Sequence, residues 1–182
     1  ATAPIRTANE NASSFSSRPG AGGIGSHRMW RMIPGGVHDI VEGDGENQTV
    51  FSVDGMSPPE TRNGTYVVDQ TAALDRLSLL YLNRNLSWVD KLTPFRVLLL
   101  VLPKQPSEPN ARRIYATQML RSWYGNNRML ERTALVVISL DGLVEITVGK
   151  QLRMVFSEAV ARHFSGKAME LMRSLSSNDP TA

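Results

Sequence analysis

Hydrophobic positions divide the chain near Thr65, and beyond that point their spacing alternates between strand and helix periods. Tyr66-Val67-Val68 is a short β-prone segment. Leu74, Leu77, Leu80, Tyr81, Leu82, Leu86, Trp88 and Val89 then recur near helical spacing. They predict a helix over residues 71–91, capped by Asp69 or Thr71 and ended by Thr93-Pro94. Residues 95–102 are apolar on both faces apart from Arg96, the pattern of a central strand covered by helices on each side. A loop with three prolines, Pro103, Pro106 and Pro109, leads to a helix over 111–124. Its stripe is Ile114, Tyr115, Gln118, Met119, Ser122 and Trp123, and Gly125 ends it. A second apolar strand over 133–140, a tight Asp141-Gly142 turn and an alternating strand over 143–148 read as a hairpin closed by Gly149. A helix over 151–164 follows, with further helix over 167–175.

The order β-α-β-α-β-β-α(α) predicts a three-layer α/β/α sandwich. Its sheet is mostly parallel, with one antiparallel hairpin. Residues 1–65 read differently. They hold ten of the 14 glycines, and stretches such as Ser13-Ser14-Phe15-Ser16-Ser17-Arg18-Pro19-Gly20 form no regular element. A segment of this kind buries too little to offset its ordering entropy alone. Yet it carries Met29, Trp30, Met32, Ile33 and Phe51, read here as anchors on a partner. The expected organisation is an irregular docking arm over 1–57, an α/β domain over 58–175 and a polar tail over 176–182. Gly20-Ala21-Gly22-Gly23-Ile24-Gly25 matches a dinucleotide fingerprint, but Pro19 and serines precede it where a strand is required.

Composition narrows the classes. There is no cysteine, so disulfides, Cys-ligated metal centres and thiol nucleophiles are excluded. The longest apolar run, Val97 to Leu102, is far too short to span a membrane. The net charge is +3. Residues 1–65 carry five Arg against seven Asp/Glu (−2), and residues 66–182 carry fifteen Lys/Arg against ten Asp/Glu (+5). The cations are scattered rather than massed in a stripe, which argues against a nucleic-acid binder. The chain opens Ala1-Thr2-Ala3-Pro4, as expected of a mature end left by removal of a targeting segment.

The element order and particular residues resemble the TPM domain family. Tyr66-Val67-Val68-Asp69-Gln70-Thr71-Ala72-Ala73-Leu74 is similar to its opening motif. Pro58-Pro59-Glu60-Thr61 resembles an element of its plastid branch, and Trp123-Tyr124 and the hairpin closing on Val148-Gly149 also match. The resemblance covers about residues 58–164. It implies either an acid phosphatase with a divalent metal at acidic strand ends or an accessory protein of photosystem repair in the thylakoid lumen.

The residues favour the second. The family's acidic pair is reduced to Asp69 followed by Gln70, and its Asp-Asn-Gly becomes Glu131-Arg132-Thr133. Hard cations want several oxygen ligands, so Asp69, Asp141 and Glu131 read as vestiges, with Arg132 repelling a metal. None of His27, His38 and His163 sits in a catalytic motif, and no GxSxG elbow occurs. The expectation is a non-catalytic subunit with no cofactor. It would dock on a large membrane complex, a photosystem on its thylakoid-lumen side, with no membrane span of its own. The alternatives are a TPM-type acid phosphatase and an accessory subunit of a mitochondrial inner-membrane complex.

Overall fold

The computed structural model of the protein describes residues 30–32, 39–43, 48–125 and 127–177. Among the described residues, seven strands and four α-helices follow one another in the order β1 (Trp30–Met32), β2 (Ile40–Glu42), β3 (Thr49–Phe51), β4 (Val67–Asp69), α1 (Arg76–Leu92), β5 (Arg96–Leu102), α2 (Pro109–Tyr124), α3 (Arg128–Arg132), β6 (Thr133–Ser139), β7 (Val144–Val148) and α4 (Glu158–Ser177). The main sheet has the order β4-β5-β6-β7. Its first three strands are parallel, and β7 returns antiparallel to β6. The α/β class and the mostly parallel sheet with one hairpin are therefore as the sequence led one to expect.

Local chemistry places each element. Asp75, not Asp69 or Thr71, caps α1, its carboxylate accepting from the N–H of Leu77 and Ser78 at 2.8 and 3.0 Å. The Asp69 side chain instead holds the N–H groups of Thr71 and Leu74, both at 2.8 Å. Residues 70–74 are thereby folded into a turn and cannot join the helix. Pro109 opens α2 at its first position, where its missing N–H costs nothing, and Glu108 caps it. The hairpin turn is Leu140-Asp141-Gly142, with Gly142 at φ +81°. The two expected C-terminal helices are one, running through Gly166 without a break.

Two crossovers, β4-α1-β5 and β5-α2-β6, advance in the same direction across the sheet, and such connections take the right hand. That puts α1 and α2 on one face. Their side of the sheet presents Tyr66, Leu98, Leu100, Leu135 and Val137 to Ala116, Met119 and Leu120 of α2. The other face is covered at one end by Leu152 and Phe156, which pack on Ala134 and Val148. Phe164 of α4 stacks on Phe156 with ring centroids 5.8 Å apart. This third layer is thin, and Leu99, Val136, Ile138 and Ile146 stay half-buried.

The edge strand β4 is closed by a side chain from α1. Asn83 Oδ1 accepts from the N–H of Tyr66 at 2.6 Å and of Val67 at 3.1 Å. Below it, Asp90 joins the Tyr66 hydroxyl (2.8 Å) and the Arg96 guanidinium (2.9 and 3.2 Å).

The boundary expected at residue 57 does not survive. β1, β2 and β3 form a small antiparallel sheet. Ile40, Phe51 and Val53 are buried in the same core as α2 and the main sheet. Short strands with glycine-rich connections carry little local signal, and here tertiary burial decides.

Candidate functional site

The residues expected at a vestigial acidic site do not come together. Asp69 ends β4 and Asp141 follows β6, both at the carboxyl edge of the parallel strands. Glu131 precedes β6, at the opposite edge. Seven strand residues separate the two edges, a span of roughly 20 Å. Arg132 lies beside Glu131, so it is not the residue that repels a cation from Asp69. This corrects the expectation that the four belong to one site.

Each acid also has a local task. Asp69 Oδ1 accepts from the N–H and the hydroxyl of Thr71 (2.8 and 2.7 Å), and Oδ2 accepts from Leu74 N–H (2.8 Å). Partial burial tends to raise its pKa, but these hydrogen bonds outweigh that and hold the carboxyl below its ordinary value. Asp141 takes the Ser139 hydroxyl, and Glu131 takes the Gln151 amide at 2.8 Å. Among the described residues no group of three His, Asp or Glu side chains could hold a metal ion. This donor set does not fit a calcium or magnesium ion, which needs six or more oxygens. His163 lies exposed on α4 beside Phe164, while His27 and His38 lie outside the described residues.

Open α/β sheets take ligands in the crevice beyond the carboxyl ends of their strands. Here the loop after β5 is engaged by the chain itself. Glu42, at the end of β2, is buried, and its carboxylate receives the N–H of Ser107 (2.9 and 3.2 Å) and of Glu108 (3.2 Å). The Ser107 hydroxyl donates to it as well. These groups stand at the N-terminus of α2, where unpaired N–H groups and the helix dipole favour an anion. Beside them Arg112 donates to the carbonyls of Pro106 (3.4 Å) and Ser107. The fully buried Gln105 donates to Ser139 Oγ at 3.0 Å.

Glu145 on β7 faces α2, with Oε2 3.9 Å from Arg112 Nε. Burial pushes its carboxyl up to about 7, against the lowering pull of Arg112 and Arg113. The folded state thus holds this proton more tightly than the unfolded chain, whose carboxyl titrates near 4.5. The associated stability is fully present below pH 4.5 and is lost as pH rises to about 7. The melting temperature of Glu145→Gln relative to the parent should rise across that window and stay level outside it. A flat difference from end to end would show that Glu145 titrates normally.

The residues expected to anchor a partner fare differently. Phe51 is 6% exposed and meets the Tyr115 ring edge-on at 6.2 Å, so it belongs to the core and is not a docking residue. Trp30 and Met32 lie in β1, paired with β2. Met29 and Ile33 lie outside the described residues, as does the glycine stretch 20–25.

A surface that the sequence reading missed lies on α1. Leu79, Leu82 and Leu86 are half-buried on the side toward the sheet. Leu77, Leu80, Tyr81, Trp88 and Leu92 are 66–77% exposed. At 3.6 residues per turn these five fall within an arc of about 120° on the outer side. Arg84 and Lys91 share the arc and no acid does. The signal was the excess of apolar positions over the single stripe a surface helix needs.

No family model matches the chain, and no curated protein does. Among solved structures, the chain is similar to the solution NMR structure of the N-terminal domain of a protein from P. gingivalis. The TM-score is 0.53 at 19% identity, over 63% of this chain and 73% of that one. The likeness is one of fold.

Proposed function

We propose that this chain is a non-catalytic accessory subunit that docks on a larger membrane-bound assembly through the outer side of α1. The observation that carries the reading is the exposed stripe of Leu77, Leu80, Tyr81, Trp88 and Leu92. A contiguous apolar patch with two aromatic rings is costly in water and marks an interaction site. The absence of catalysis is argued from Glu42, whose carboxylate sits where such a sheet would receive an anionic substrate. The assembly we propose is a photosystem, on its thylakoid-lumen side. That choice rests on the resemblance of Pro58-Pro59-Glu60-Thr61 to the plastid branch. No helix among the described residues is long and apolar enough to cross a membrane.

The test is a native gel of the tagged full chain. Leu80→Glu with Trp88→Glu should leave the fold intact, since both side chains are about two-thirds exposed. The variant should run free of the complex with which the parent migrates. Continued co-migration would show that α1 is not the contact. Hydrolysis of p-nitrophenyl phosphate that depends on calcium or magnesium and is abolished by Asp69→Asn would overturn the non-catalytic reading.

A further inference from the structure

Between α2, β7 and the start of α4 runs a furrow on the far edge of the sheet from α1. One cavity of about 430 Å³ is lined by Arg113, Thr117, Gln118, Arg121, Thr147 and Arg153, among others. A second of about 310 Å³ shares Thr117, Arg121, Thr147 and Arg153 and adds Glu131 and Lys150, so the two adjoin.

Its chemistry is rich in donors. Arg113 is paired with Glu158, and Glu131 is engaged by Gln151. The side chains of Arg121 and Lys150 have no hydrogen-bond or ion-pair partner among the described residues. Arg153 spends only its Nε, on the Val148 carbonyl at 3.1 Å. Three cations therefore face the single carboxylate of Glu131, which its bond from the neutral Gln151 amide leaves charged, so positive charge is in excess. Thr117 and Thr147 hydroxyls stand 3.1 Å apart, so one donates to the other and the second proton is left over. Ile114, Ile146, Val148 and Ala161 supply aliphatic walls, and no aromatic ring lines either cavity on which a base could stack.

A ligand that satisfies this set must bring several anionic oxygens and further acceptors. We propose that the furrow binds an extended acidic peptide segment of a partner protein. Glutamate or aspartate carboxylates meet the forked donors of Arg121 and Arg153. Arg113 and Arg121 are eight residues apart on α2, about 12 Å along the helix, the reach of four extended residues. The inference deepens the docking reading by adding a second contact of stated chemistry, and the two are separable because they use different surfaces.

The experiment is fluorescence anisotropy of the full chain with a labelled hexapeptide of alternating glutamate and alanine, against its glutamine counterpart. The acidic peptide should bind and the glutamine peptide should not. Arg121→Gln, which loses no contact inside the protein, should weaken binding about tenfold. Arg121→Gln with Arg153→Gln should abolish it. Arg84→Gln on α1 should change nothing, and Leu80→Glu with Trp88→Glu should leave peptide binding intact even where it releases the complex. Equal binding of the glutamine peptide, or loss with Arg84→Gln rather than Arg121→Gln, would overturn the proposal.

Discussion

Gly149→Ala is expected to destabilise the fold by about 3 kcal/mol, or roughly 6–12 °C in melting temperature. The chain leaves β7 at Gly149 against the corner between α3 and β6. A Cβ there would lie 2.1 Å from the Leu130 carbonyl oxygen and 2.5 Å from the Glu131 carbonyl. Both are backbone atoms, pinned by the bonds from Gly149 N–H to Thr133 O (2.9 Å) and from Gln151 N–H to Glu131 O (3.0 Å). Neither can swing away as a flexible side chain would, so the corner must open or the strand must lift. Gly166 provides the opposite case. It lies inside α4 with open space where a Cβ would go. Gly166→Ala should stabilise by about 0.5–1 kcal/mol, through helix propensity. Urea unfolding of the two variants checks both signs. A mild effect at Gly149 would mean that the corner is not packed as described.

Glu42→Ala is expected to cost about 3 kcal/mol, because it strips the acceptor from the N–H groups of Ser107 and Glu108 at the head of α2. Glu42→Gln keeps one acceptor oxygen and should cost about 1 kcal/mol. The alanine variant also vacates an anion site. Sulfate should therefore raise its melting temperature, and should do so far less for the parent, whose carboxylate already fills the place. If the alanine variant melts like the parent, the small β1-β2-β3 sheet is not bolted to α2 through this residue.

Much of the main domain was legible because its signals are local. The apolar run over 95–102, the Asp141-Gly142 turn and the alternation over 143–148 each name their own element. The start of α1 was not, since Asp69 and Asp75 are equally good caps by type. The choice falls to a turn in which Asp69 binds Thr71 and Leu74. The β1-β2-β3 sheet was opaque for a different reason. Its anchoring bonds join Glu42 to Ser107, 65 residues away, and no periodic pattern records such a pairing. The acidic site dissolved on topology: Glu131 and Asp141 are near in sequence but sit at opposite ends of one strand. The α1 surface was in plain view, yet its two stripes were read as one.

The side chain of Asn83 has a bearing on how copies of this protein meet. A sheet ending in an unguarded strand invites a neighbour's strand to continue its ladder, which is how fibrils begin. Along β4 the N–H groups of Tyr66 and Val67 already have their acceptor in Asn83. A foreign strand arriving there finds those donors taken and a helix in its path. Crowding such molecules together on a surface would bring their greasy ridges into contact without letting their sheets fuse.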